Sequence, residues 1–376
     1  MVLLKKKNDN LMISSGDCLI ICDLENLSDK FLKIPEPVLP QNLTKGQVAV
    51  LKKEIRNVTS FDFYNENGYT VVSTENKQVV VYDKHFNIVK NFIVNRAASK
   101  VRFTPSNDVL VADKTGDVYL YKLNSDNEKP QLLLGHLSVI LDMTMSECGK
   151  YIITCDRDEK IRVSHFPNAY NIMSFCLGHR EFVTRIKVVK NILVSASGDG
   201  TVRFWDFVKG EQVGLINTND HVTDSNLMTA FAKRMDEEKV DVEVLPVMDM
   251  QVYGDGSKLY IAVSLYSYSD LQVYNTILST LETSFVMNIN VGSNLFSYHF
   301  SDVLYILSDK FSAFKLSDEK FVESSVPFLE NLYDKFKELL KQNEDDSIIK
   351  LYKRKFDNVQ EYLERKRQRL EAKIKL

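Results

Sequence analysis

Ser195-Ala196-Ser197-Gly198-Asp199-Gly200-Thr201-Val202-Arg203-Phe204-Trp205-Asp206 reads as two short strands joined by a tight polar turn, the signature of a β-hairpin. Its second arm has counterparts along the chain. Val79-Val80-Val81-Tyr82, Val118-Tyr119-Leu120-Tyr121, Ile161-Arg162-Val163-Ser164 and Val202-Arg203-Phe204-Trp205 begin 39, 43 and 41 residues apart, each after a polar turn. A period near 41 matches one four-stranded propeller blade. The pairs Gly135-His136 and Gly178-His179 lie 43 residues apart and keep the same rhythm, the second preceding Trp205-Asp206 by 26 residues.

These features together resemble the WD-repeat family, in which a His, a strand Ser or Thr, a turn Asp and a Trp share a buried hydrogen-bond network. Carried onto this chain, the resemblance gives His179, Ser195, Asp199 and Trp205 in one blade. It gives His136, Thr154 and Asp158 in the blade before, with Ser164 at the Trp position and the network there truncated. The expectation is an all-β, seven-bladed WD-repeat β-propeller over residues 1–325, followed by a C-terminal helical tail over 326–376.

Gly149-Lys150-Tyr151 repeats Gly68-Tyr69-Thr70 after two periods, but Gly256-Ser257-Lys258 follows only after two periods plus 25 residues. An insertion at about 218–241, polar and helix-compatible, accounts for the excess. After Pro327 the apolar period becomes helical: Leu329, Leu332, Phe336 and Leu339 share a face, with Ser325 placed as the cap. A polar linker at Asn343-Glu344-Asp345-Asp346 leads to a second helix striped by Tyr352, Phe356, Val359, Leu363, Leu370 and Ile374. This tail is expected to lie outside the propeller.

Composition is that of a soluble globular protein, 44% hydrophobic and 26% charged with net charge -3. The charge is uneven, because residues 350–376 hold ten Lys or Arg against four Asp or Glu. That end is the part suited to a polyanion. The first residues, Met1 to Leu4 and then Lys5-Lys6-Lys7, form too short an apolar run for a secretory leader, and no run approaches a membrane span of about 20 residues. Five cysteines, Cys18, Cys22, Cys148, Cys155 and Cys176, then read as reduced core fillers. The expected compartment is the nucleus, with the cytoplasm as the second.

Catalytic chemistry finds no foothold in the residues. His136 and His179 belong to the repeat network, while His85, His165, His221 and His299 have no companion at metal-ligand spacing. Cys18-x-x-x-Cys22 has no second Cys or His pair nearby, and no glycine fingerprint for a nucleotide or S-adenosylmethionine is present. No cofactor or metal is expected. Arg157, Glu159, Lys160 and Arg162 concentrate alternating charge on one hairpin turn, which suits either a solvated loop or an ion-paired docking surface.

A narrower resemblance runs through four ordered segments. Val111-Ala112-Asp113-Lys114-Thr115-Gly116-Asp117-Val118-Tyr119, Leu134-Gly135-His136-Leu137-Ser138, Asp156 through Ser164, and Leu177-Gly178-His179-Arg180-Glu181-Phe182-Val183 are similar to the WD-repeat subunit of tRNA (guanine-N7-)-methyltransferase. The C-terminal Leu351-Tyr352-Lys353, Phe356-Asp357-Asn358-Val359 and Tyr362-Leu363 resemble the tail of its animal members. The strong match spans 109–205 and this tail. The resemblance implies a non-catalytic role in a heterodimer. A separate subunit would hold S-adenosylmethionine and methylate a guanine of the tRNA variable loop, with neither membrane nor DNA required.

The same resemblance makes the charged turn partner-facing, with Arg162 foremost, then Lys160, Glu159 and Arg157. The tail is read two ways: Lys353, Arg354, Lys355, Arg365, Lys366, Arg367 and Arg369 contact tRNA phosphates, or the apolar stripe packs and the basic face is merely solvated. The alternative function is a general WD scaffold such as a ubiquitin-ligase substrate receptor. Against its usual docking form, Trp205-Asp206 is followed by Phe207-Val208, without an Arg two residues after the Asp.

Overall fold

Each apolar run of the repeat is the third strand of a blade: β7 (Gln78–Tyr82), β11 (Asp117–Tyr121), β15 (Ile161–His165) and β19 (Thr201–Asp206). The computed structural model describes every residue except 1, 40–43, 45, 47–54, 65–67, 125–128, 293, 318–319, 341–345 and 355–376. Strands β1–β28 form seven antiparallel four-stranded sheets, each a meander of four consecutive strands. The blades span 3–33, 58–93, 98–135, 140–176, 183–217, 247–290 and 297–324. The middle strands of each blade are the most apolar, as sheets packed on both faces require. Val79, Val80 and Val81 are fully buried, as are Ile153, Cys155 and Val163.

The first strands of neighbouring blades pack side by side from blade 2 round through blade 7 to blade 1 and so wall the central channel. They are β1 (Leu3–Lys7), β5 (Val58–Phe63), β9 (Ala98–Phe103), β13 (Ile140–Met145), β17 (Val183–Val189), β21 (Val247–Gly254) and β25 (Ser297–Phe300). The insertion is ordered. A 3-10 turn at Thr218–His221 leads to helix α1 (Ser225–Glu237), capped by the Asp224 carboxylate, which accepts from Leu227 N. Phe231 and Met235 anchor it in the core between blades 5 and 6.

Among the described residues the ring closes without exchange of a strand, since blade 1 is built from β1–β4 and blade 7 from residues 297–324. The seam holds by side-chain contact: Leu4 N donates to Ser297 Oγ at 3.0 Å, and Lys6 pairs with Asp302 at 2.8 Å. Helix α2 (Pro327–Phe336) lies across it, burying Leu329, Leu332 and Phe336 against Leu11, Ile13 and Cys22 of blade 1 and Tyr305, Leu307 and Phe311 of blade 7. Lys335 adds an ion pair to Asp29 at 2.5 Å.

This corrects the expectation that the tail lies outside the propeller. Its first helix is part of the closure. Ser325 is not the cap either. Val326 holds the cap position without a side-chain bond, and Pro327 begins the helix, where its missing N–H costs nothing. Leu339 is exposed rather than on the buried face. Four of the five cysteines are buried, but Cys148 is exposed in a turn beside Ser146, so it is no core filler.

Candidate interaction surfaces of the propeller

Blade 5 carries the complete network. His179 Nε2 and Trp205 Nε1 both reach Ser195 Oγ, at 2.7 and 2.8 Å, while His179 Nδ1 meets Asp199 Oδ2 at 3.0 Å. Burial acts to raise the Asp199 carboxyl, but the hydrogen bond and charge interaction with His179 prevail and hold it below the usual carboxylate range. Burial is the largest influence on His179 and lowers its pKa. The imidazole is therefore a neutral structural link at physiological pH.

Blade 4 departs from the sequence reading. His136 Nε2 meets Thr154 Oγ1 at 2.8 Å, but its Nδ1 meets Asp156 Oδ2, also at 2.8 Å, and not Asp158. Asp156 ends strand β14 (Tyr151–Asp156), and its other oxygen accepts from Asp158 N and Lys160 N, closing the turn from within. Asp158 is displaced outward, where it faces Lys353 at 3.7 Å.

The missing indole changes the role of Arg162. Ser164, fully buried at the Trp position, accepts from Arg162 Nε at 2.9 Å. The guanidinium then donates to Ala169 O at 2.8 Å and to Gly135 O of blade 3 at 3.3 Å. Arg162 thus links its own strand to the end of blade 3.

Two further residues of the charged turn hold the chain's own tail. Arg157 Nε donates to Leu351 O at 2.8 Å, and Glu159 pairs with Lys353. These contacts seat a 3-10 segment, Asp346–Leu351, and the residue after it. Tyr352 is 2% exposed, donates to Gly198 O at 2.9 Å and meets Phe182 edge-on at 4.9 Å. Position 198 must be glycine here, because a Cβ would lie 2.5 Å from the Phe182 ring. Arg354 pairs with Glu238, just beyond α1, at 2.7 Å. Lys353 and Arg354 are thus engaged within the molecule, whereas Lys355, Arg365, Lys366, Arg367 and Arg369 lie outside the described residues. Of the turn residues expected to face a partner, Lys160 remains exposed.

The outer edge of blade 4 escaped the sequence reading. Strand β16 (Ile172–Cys176) exposes Ile172, Met173 and Phe175, and nearby in the chain Tyr170 and Leu177 are 77% and 64% exposed. Phe175 stands opposite Arg162 in the strand register. A run of large apolar residues on an outer strand, where alternation calls for polar ones, was the available signal. Among the described residues, no three His, Cys, Asp or Glu side chains converge at metal-binding distance.

Blade count, strand order and the His–Ser–Trp network define a seven-bladed WD-repeat propeller. Solved structures agree on the fold. A chain of the mitotic checkpoint complex superposes with a TM-score of 0.64 over 85% of this chain and 90% of that one, at 11% identity. The Cps50 (Swd1) β-propeller of Myceliophteria thermophila superposes with 0.60 over 82% and 91%, at 12% identity.

The profile of the tRNA methyltransferase TRM82 WD40 domain matches residues 122–303. The tRNA (guanine-N(7)-)-methyltransferase non-catalytic subunit wuho of Drosophila pseudoobscura pseudoobscura is 30% identical over 96% of this chain and 93% of its own. Wuho of Aedes aegypti is 36% identical over 74% and 68%, and the wdr4 subunit of Xenopus laevis 43% identical over 40% of each chain. This chain belongs to the family of tRNA (guanine-N(7)-)-methyltransferase non-catalytic subunits.

Proposed function

We propose that this propeller is the accessory subunit of a tRNA (guanine-N7-)-methyltransferase, holding and orienting a separate catalytic subunit in a heterodimer and helping it bind tRNA for methylation of a variable-loop guanine. The observation that carries the reading is the near-full-length relationship to proteins named as non-catalytic subunits of that enzyme. The catalytic subunit docks on the outer edge of blade 4, where Ile172, Met173, Phe175 and Leu177 are exposed beside Lys160 and the Arg162 fastening. Apolar patches of this kind on a soluble protein mark partner surfaces. Arg162 acts here as a positioning residue, since it stands opposite Phe175 in the strand register and holds Ala169 O in the loop that leads into that strand. The basic residues 355–376 add non-specific contacts to the tRNA backbone. Free thiols at all five cysteines fit the reducing nucleus, where we place the complex, and the cytosol equally.

The test is the affinity of purified chain for the catalytic subunit, with Phe175→Ser and Leu177→Ser combined. The expected loss is more than about tenfold in Kd, as for truncation of a central apolar anchor, with the melting temperature of the free propeller retained. Wild-type affinity in the double variant rejects the blade-4 dock. Failure of the wild-type chain to associate with the catalytic subunit rejects the accessory reading itself.

A further inference from the structure

The walls of the central channel carry a charge imbalance that neither the fold nor the accessory role accounts for. Corresponding positions on the first strands form two stacked rings. In the first, Lys100 of β9, Asp142 of β13, Arg185 of β17 and Asp249 of β21 alternate in sign over four consecutive blades. Arg185 Nε lies 2.5 Å from Asp249 Oδ1, and Lys100 Nζ lies 3.9 Å from Asp142 Oδ1. That ring is balanced.

At the level two residues further along these strands, the second ring holds Lys5, Asp62, Arg102, Thr144, Lys187, Gln251 and His299. Its cations are not balanced. Lys5 Nζ donates to Phe61 O at 2.6 Å and lies 3.4 Å from Asp62, the only carboxylate of the ring. Arg102 turns back to the first ring, reaching Asp142 at 3.0 Å. Lys187 has no hydrogen-bond or ion-pair partner among the described residues. Taken together, five cations face three carboxylates.

Lys187 is exposed on a strand whose flanking Ile186 and Val188 are buried. Yet desolvation by the surrounding protein, followed by repulsion from Arg102, holds its pKa below the ordinary lysine value. Solvent access combined with close enclosure describes a channel. Lys5 behaves alike, pushed down to about 8 by burial first and Arg102 next. Lys100 is pushed to about 7 by burial and then by Arg185. His299 of blade 7 is lowered to about 3 by burial, then by Lys5 and Lys187, and its Nδ1 is buried without a partner. Blades 1, 3, 5 and 7 therefore sense one another's charge through the hole.

Confined cations without counter-charge must shed protons or draw an anion from solvent. We propose that the central channel binds a small phosphate-class anion at the second ring, among Lys5, Arg102 and Lys187, which supplies the two negative charges the wall lacks. A phosphate monoester carries about -1.5 to -2 at neutral pH and three strong acceptor oxygens, which matches the excess of basic over acidic side chains on the wall. The Gln251 amide, next to Lys187 in the ring, offers a neutral donor. The ligand would act as a structural counter-ion, independent of any partner on the outer rim.

Thermal melting of the purified full chain at fixed ionic strength tests this, with sodium chloride exchanged for inorganic phosphate, pyrophosphate, or a short oligoribonucleotide. The expected result is a saturable rise of about 2–4 °C with phosphate or pyrophosphate, absent in Lys187→Met. Gln251→Glu places a carboxylate in the ring. It should melt higher than the wild type in chloride and gain nothing from phosphate. Three results overturn the proposal: no phosphate response in the wild type, an equal response in both variants, or a response to the oligoribonucleotide alone, which would assign the cations to RNA.

Discussion

His136 and His179 sit in equivalent loops, and each lies 20 residues ahead of the carboxylate it binds. Counting back 41 residues along the strands from Asp199 lands on Asp158; counting 20 forward from His136 lands on Asp156. The second measure is right because the histidine and the turn aspartate must touch, whereas strand spacing only carries them. Most of the network was legible, including His179, Ser195, Asp199 and Trp205. The Arg162 fastening was not, because a strand pattern shows which face a side chain takes but not which carbonyls its end will reach. Asp156→Asn should destabilise the free chain by about 1–3 kcal/mol, through an unsatisfied buried imidazole, while Asp158→Asn stays within about 0.5 kcal/mol as an outer substitution. Chemical denaturation of both variants checks this, and equal losses would restore Asp158 to the network. The pH dependence follows from the same residues. His179 is held below its ordinary 6.5, so the unfolded chain gains the proton first as pH falls, and stability drops below that value. Asp199 is held below 3.8, so its contribution is full above that pH and is lost as pH falls through the lower folded value. Melting temperatures taken from neutral pH downward should decline in two stages, and Asp199→Asn should remove the more acidic one. A variant with both stages intact would contradict the assignment.

At the scale of elements, the repeat announced its strands but not its seam. Helix α2 was visible as an amphipathic stripe, which states that Leu329, Leu332 and Phe336 will be buried but not against what. Its docking on blades 1 and 7 is a tertiary fact, made necessary because, among the described residues, the ring has no shared strand to close it. The inserted helix was legible by arithmetic alone, as the excess over two periods. Leu329→Ala and Leu332→Ala should each cost about 2–5 kcal/mol, the range for truncating buried leucines. The damage should be local first. Amide exchange in β1 and in β28 (Lys320–Ser324) should accelerate before that of β14 or β18 (Ile192–Ser197), whose blades the helix does not touch. Uniform acceleration across all blades would show that α2 is a generic stabiliser rather than the closure.

Across the whole molecule, the basic C-terminal end is described as far as Arg354. Up to that residue the tail is fixed to the propeller: Tyr352 fills a pocket over Gly198, Lys353 pairs with Glu159 and Arg354 with Glu238. Cations already paired release few counter-ions when a polyanion arrives, so they add little to a salt slope. Beyond it, residues 355–376 hold seven Lys or Arg against four Asp or Glu. With the proposed phosphate contacts made by 355–376, deleting them should weaken RNA binding by the complex and flatten its dependence on salt. Tyr352→Ala should act on stability instead. Removing a buried aromatic ring costs about 3–5 kcal/mol, so the free chain should melt earlier, with the salt slope kept. Lys353→Ala, an exposed pair, should cost at most about 1 kcal/mol and leave the slope nearly as it was. Titration of labelled tRNA against the reconstituted complex over a range of salt, beside melting curves of each free variant, reads both quantities at once. If the deletion leaves the slope untouched, the tail's charge serves no RNA; if Lys353→Ala flattens it as much as the deletion does, the ion pair with Glu159 opens when RNA binds.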